Sequence, residues 1–145
     1  MRALLQRVSS AAVAVDGEVI ASIDAGLLIL LGVAKGDAAD AADWLAAKTL
    51  DLRIFADEQK PMNASVMDIL GSVLVVSQFT LAADTSRGNR PGFSTAAPPH
   101  EAEPLYERYV TELRLRCTNV QTGRFGADMK VSLVNDGPVT ILLER

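Results

Sequence analysis

The chain has 145 residues, 49% of them hydrophobic and 22% charged, the balance of one soluble globular domain and not of a disordered or fibrous chain. A formal net charge of -4 and a pI of about 4.9 exclude a protein that coats nucleic acid through bulk electrostatics, so any RNA contact has to be local. The longest apolar run, Gly26 to Ala34, is about half of what a bilayer span needs, and the one cysteine, Cys117, makes neither an internal disulfide nor a metal cluster.

The opening MRALLQRVSS has no long apolar stretch ending in a small-residue cleavage site, which argues against a signal peptide and for a reduced, cytoplasmic setting. Residues 3 to 23 alternate loosely around VDGEV, and Asp16-Gly17 between β-branched neighbours predicts a hairpin of two strands, about 2 to 15 and 18 to 23. Leu27 to Val33 predicts a third strand. Asp37 reads as the N-cap of a helix running to about Leu50. Leu52 to Phe55 reads as a short strand ended by ADEQKPMN. Gly71 to Ser77 is a continuous β-branched run, the pattern of a central strand covered on both faces.

From Ala82 to Pro99 the chain is rich in Gly, Pro, Ser and Arg, a loop long enough to suggest function. It carries Arg87 and Arg90 in a stretch without acids. A helix follows, with Leu105, Tyr109, Val110 and Leu113 on one apolar stripe. Val120 to Thr122 and strands on either side of Asn135 close the chain. The expected fold is a single α+β domain over 1 to 145, with a mostly antiparallel, barrel-like sheet and two main helices.

Chemistry is suggested where polar residues interrupt apolar strands. The first place is Ser77-Gln78-Phe79-Thr80, which leaves open an ordinary edge strand or a strand end presenting hydroxyls and free N-H groups as an oxyanion hole requires. A Ser77 or Thr80 nucleophile would need a base. The only histidine, His100, precedes a helix in a proline-rich segment, which disfavours a Ser-His-Asp hydrolase. The second place is Asn135 to Thr140, where Gly137-Pro138 breaks a good strand. Proline removes a ladder donor, so a bulge or a hairpin is expected there, and by base rate a trans peptide. Asp37, Asp40 and Asp43 lack the spacing of a calcium loop, and Gly123 to Gly126 is no phosphate loop, so no metal or cofactor is expected.

SQFTLAAD, RPGFSTAAPP and TGRFGADMKVSLVNDGPVTILLE, together with the opening MRALLQRVSSAAVAVDGEV, make the chain resemble the D-aminoacyl-tRNA deacylases, long called D-tyrosyl-tRNA(Tyr) deacylases. The likeness runs nearly end to end. It implies a homodimeric editing hydrolase that removes D-amino acids, and glycine mischarged on tRNA(Ala), from tRNA. It also implies that Gly137-Pro138 is cis and enters the active site of the other subunit. Ser77, Gln78, Phe79 and Thr80 would line that pocket with the Phe79 and Thr80 amides toward the ester, Arg7 would support the Gly-Pro, and Phe125 and Met129 would line the terminal-adenosine side. The expected partner is the 3' end of charged tRNA, with Arg87 and Arg90 as contacts, and neither membrane nor DNA. Two rivals stand beside it: a hydrolase of small esters using Ser77 or Thr80 as nucleophile, and a non-enzymatic dimer that binds ligands between its subunits.

Overall fold

The computed structural model describes all residues, Met1 to Arg145, as one sheet and two helices. Strand β1 (Arg2–Val15) pairs antiparallel with three partners. Along one edge lie β2 (Glu18–Ile23) and β3 (Gly26–Gly32), and the same register is kept from Ala11↔Ile23 through Val8↔Gly26, so β2 and β3 are one long strand bent at Asp24-Ala25. The predicted hairpin turn is in place, with Asp16 and Gly17 both at positive φ (52° and 82°) as its two-residue connection requires.

Beyond β3 the pairing changes sense. Strands β4 (Ser72–Ser77) and β5 (Val120–Thr122) run parallel to β3 and to each other, with helix α1 (Ala39–Asp51) between β3 and β4 and α2 (Pro99–Arg116) between β4 and β5. Parallel neighbours need such crossovers. The sheet is therefore mixed, with three antiparallel and two parallel pairings, where the sequence pattern suggested a mostly antiparallel one. Strand β2 also touches β4 and β5, so the sheet curls until it is nearly closed.

Curling gives the sheet two apolar faces. Leu27, Ile29, Leu31, Val73 and Val75 point to the helices, joining Leu45, Tyr109 and Leu113 in the larger core. Leu28, Leu74 and Val76 point the other way, into a smaller core with Val8 and Val13 inside the curl. That two-sided burial is why β3 and β4 read as unbroken apolar runs.

Three local expectations change. The residue before α1 is Ala38, with no side-chain cap, because Asp37 is already occupied: its carboxylate accepts from the Ala34 amide (2.6 Å) and from the Met1 amine (2.7 Å). Leu52 to Phe55 forms only an isolated bridge, Phe55↔Ala64. The strands around Asn135 are a single element, β6 (Lys130–Glu144), paired with β1 on both sides of the Gly-Pro. Of the two readings for that break, the bulge is the observed one.

Candidate active site

A cavity of about 620 Å³ opens at the carboxyl ends of β3 and β4, the position where open sheets with parallel strands offer a crevice. Its walls are the end of β4 (Val76, Ser77), the turn that follows (Gln78, Phe79), the start of α2 (Ala102, Tyr106) and the segment after β5 (Phe125, Met129). The wall is mostly apolar. Its only charged member, Asp128, is exposed and paired with Lys130 at 3.1 Å.

The turn after β4 is not a strand edge. Residues Phe79–Ala82 form a short 3-10 helix, and the Gln78 amide donates back to Leu31 O at 2.8 Å. The first amides of any helix lack a partner inside it. In this one they belong to Phe79 and Thr80, and neither donates elsewhere in the chain's loop and cap bonds. Glycine makes the approach possible: a Cβ on Gly32 would stand 3.0 Å from both Gln78 O and Leu81 Cβ. The Phe79 ring is exposed and meets Phe93 edge-on, with centroids 5.0 Å apart.

Thr80 lies outside the cavity wall, its hydroxyl accepting a 2.5 Å bond from the Gln78 side chain. His100 stands at the start of α2 beside Glu101, at 3.6 Å. Tyr106, which the sequence reading does not single out, is built into the wall. Its hydroxyl donates to Val75 O (3.0 Å), which also accepts from the Gly123 amide (2.9 Å), and its ring packs on Phe125 at 5.7 Å. Burial pushes the Tyr106 phenol up to about 12, so it stays a donor. Helical spacing alone makes Tyr106 one more core residue, and only the hydroxyl could have drawn notice.

Gly137 and Pro138 belong to another part of the chain. Between the pairs Gln6↔Thr140 and Val8↔Asn135, β1 supplies one residue, Arg7, against the four from Asp136 to Val139. These four bulge from the sheet, and the Gly137-Pro138 peptide within them is cis, where the pattern alone favoured trans. Arg7 spans the bulge, donating to Asp136 O (2.8 Å) and Ile54 O (2.6 Å). Both Gly137 and Pro138 are exposed, and neither lines the cavity of their own chain.

The comparison with family models decides the affiliation: residues 4–144 match the D-Tyr-tRNA(Tyr) deacylase model. The chain belongs to that family. Among D-Tyr-tRNA(Tyr) deacylase relatives, it is 60% identical to a D-aminoacyl-tRNA deacylase of Ruegeria pomeroyi, covering 99% of both chains. It is likewise 60% identical to one of Cereibacter sphaeroides, again over 99% of each. A solved structure named c-Myc DNA unwinding element binding protein superposes with a TM-score of 0.94 at 42% identity, over 100% of this chain and 99% of that one. A probable eukaryotic D-amino acid tRNA deacylase shares the fold at a TM-score of 0.80 and 17% identity, over 98% and 97% of the two chains.

Proposed function

We propose that the protein is a cytoplasmic, homodimeric editing hydrolase that cleaves the ester of D-aminoacyl-tRNA, and of glycyl-tRNA mischarged on tRNA(Ala), and leaves L-aminoacyl-tRNA intact. Relatives named D-aminoacyl-tRNA deacylase, 60% identical to this chain, support the activity. The observation that carries the rest is the separation just described. One chain presents an apolar cavity whose wall includes Phe79, with the partnerless amides of Phe79 and the adjoining Thr80 in the turn there, and on a different element an exposed Gly-Pro bulge that does not reach it.

A second copy reconciles the two. Strand β6 pairs with β1 alone, and its Leu133, Val134 and Leu142 are exposed. Long apolar edge strands invite a partner. A twofold pairing across β6 would carry the bulge of each subunit into the cavity of the other. In that setting the paired carbonyls of Gly137 and Pro138 face the substrate's α-carbon. A D residue or glycine turns its side chain or hydrogen away, whereas an L side chain collides, so exclusion gives chirality and leaves the side chain itself unread.

No triad or buried base stands at the cavity. An aminoacyl ester is already activated, and placement with charge stabilisation suffices. Water attacks the ester carbonyl with help from the ribose 2'-hydroxyl, and the Phe79 and Thr80 amides hold the oxyanion. Ser77 and Gln78 shape the rim, Phe125 and Met129 receive the terminal adenosine, and Arg87 and Arg90, both exposed in the loop beside Phe93, meet the acceptor end. A net charge of -4 favours this local contact over DNA binding.

The test is a comparison of four substrates: D-Tyr-tRNA, Gly-tRNA(Ala), L-Tyr-tRNA and a small D-tyrosine ester. Hydrolysis of the first two alone is the expected outcome. Equal rates on the small ester, together with complete loss of activity in Thr80→Ala, would favour a Thr80 or Ser77 nucleophile instead.

A further inference from the structure

Asn135 is the last residue of β6 paired to β1 before the bulge, and Thr140 is the first one after it. The Asn135 side chain reaches across the neck between them. Its Oδ1 accepts from the Val139 amide at 2.7 Å, and its Nδ2 donates to Val139 O at 3.2 Å and to Thr140 Oγ1 at 3.0 Å. Both backbone groups of Val139 are thus held by one carboxamide. Thr140 Oγ1 also accepts from Gln6 at 3.4 Å, which ties the clasp to β1.

The bulge needs such a clasp. Four residues of β6 face one of β1, so the ladder gives them little hold. Arg7 holds the entry, at Asp136 O. Asn135 holds the exit, at Val139, the one buried residue of the β6 bulge. Val139 in turn bounds the space at Gly137: a Cβ there would lie 2.7 Å from Val139 Cγ2 and 2.8 Å from its amide nitrogen. Val139 therefore borders the Gly-Pro backbone closely, and a shift of Val139 would be passed on to it.

We propose that Asn135 is a positioning residue for chiral selection: its carboxamide sets the projection of Gly137-Pro138 and with it the preference for D- over L-aminoacyl esters. This rests on the Gly-Pro reading of the proposed function. The chemistry at position 135 is demanding. Aspartate keeps the acceptor for the Val139 amide but sets a second lone pair against Val139 O. Glutamine is one methylene too long for the neck, and alanine leaves both Val139 groups without this partner.

The experiment measures kcat/KM for D-Tyr-tRNA and L-Tyr-tRNA in wild type, Asn135→Ala and Asn135→Asp, with thermal unfolding and molecular mass as controls. With the dimer and fold retained, the D-to-L ratio in Asn135→Ala is expected to fall at least about tenfold, since two or more hydrogen bonds are removed. Asn135→Asp is expected to lie between. A merely structural Asn135 would lower the melting temperature and leave the ratio unchanged, and that result overturns the proposal. If Asn135→Ala does not fold, Asn135→Asp decides, because it keeps the acceptor for the Val139 amide and loses the donor to Val139 O and Thr140 Oγ1: a lowered ratio supports the proposal and an unchanged one overturns it. Wild-type protein inactive on D-Tyr-tRNA would instead refute the functional reading underneath.

Discussion

Gly137 has no room for a side chain: its φ is +149°, and a Cβ would also approach the Arg7 guanidinium to 3.1 Å, besides the contacts to Val139. Gly137→Ala is therefore expected to abolish D-Tyr-tRNA deacylation while circular dichroism shows an intact fold, since the residue lies on an exposed bulge; wild-type rates would reject the role. Thr80 gives the opposite expectation. Its hydroxyl is engaged by Gln78 and lies outside the cavity wall, so Thr80→Ala is expected to keep most of the single-turnover rate. Ser77 to Phe79 were legible in the sequence because polar residues end an apolar run. Tyr106 and Asn135 were not: one sits on a helical stripe that reads as core, and the other in a turn-like string, where its contacts four and five residues on leave no trace in composition.

Elements were legible where period and turn chemistry agree. Strands β1 to β4 and both helices fall within a few residues of their expected ends. Pairing sense was not, because an apolar strand flanked by helices shows that it is buried without showing which neighbour it takes. The contact that joins the antiparallel and parallel parts of the sheet is Gly26, whose added Cβ would stand 1.8 Å from Ser72 O at the start of β4. Backbone cannot yield there as a flexible side chain does. Gly26→Ala is expected to cost on the order of 3 kcal/mol in denaturant unfolding, the upper end for an overpacked site. The two helices that cover the other face of the sheet are joined to each other by a buried pair, Tyr109 and Thr49, 2.7 Å apart. Burial raises both Tyr106 and Tyr109, so the folded state keeps their protons where the unfolded chain, near 10, has lost them. Stability is thus unaffected by them below about pH 10 and falls as pH rises beyond it, which alkaline titration followed by tyrosinate absorbance checks.

For the whole molecule, charge is arranged at the surface. Asp57, Asp68 and Asp84 are held below the ordinary carboxylate value by hydrogen bonds from Asn63, Ser65 and Ser86, and Asp43 by Arg108. Their contribution is present above the usual carboxylate range and is lost as pH falls through the depressed values, so thermal stability is expected to decline below about pH 4. Because Asp57, Asp68 and Asp84 are exposed and Asp43 is partly exposed, the decline should be gradual. Reversing Arg87 and Arg90 together is expected to raise KM for charged tRNA; an unchanged KM removes them from the RNA-facing surface.

What neither sequence pattern nor a single chain displays is a complete site, since cavity and Gly-Pro lie on different elements. Subunit complementation tests that claim most directly. A cavity-filling Ala96→Trp chain and a Gly137→Ala chain, each inactive alone, are co-refolded and assayed on D-Tyr-tRNA. If each site takes its cavity from one subunit and its Gly-Pro from the other, mixed dimers hold one intact site, and random assortment restores about a quarter of wild-type activity. If the mixture stays as inactive as its parents while mixed dimers are shown to form, the Gly-Pro does not serve the neighbouring cavity and the account fails.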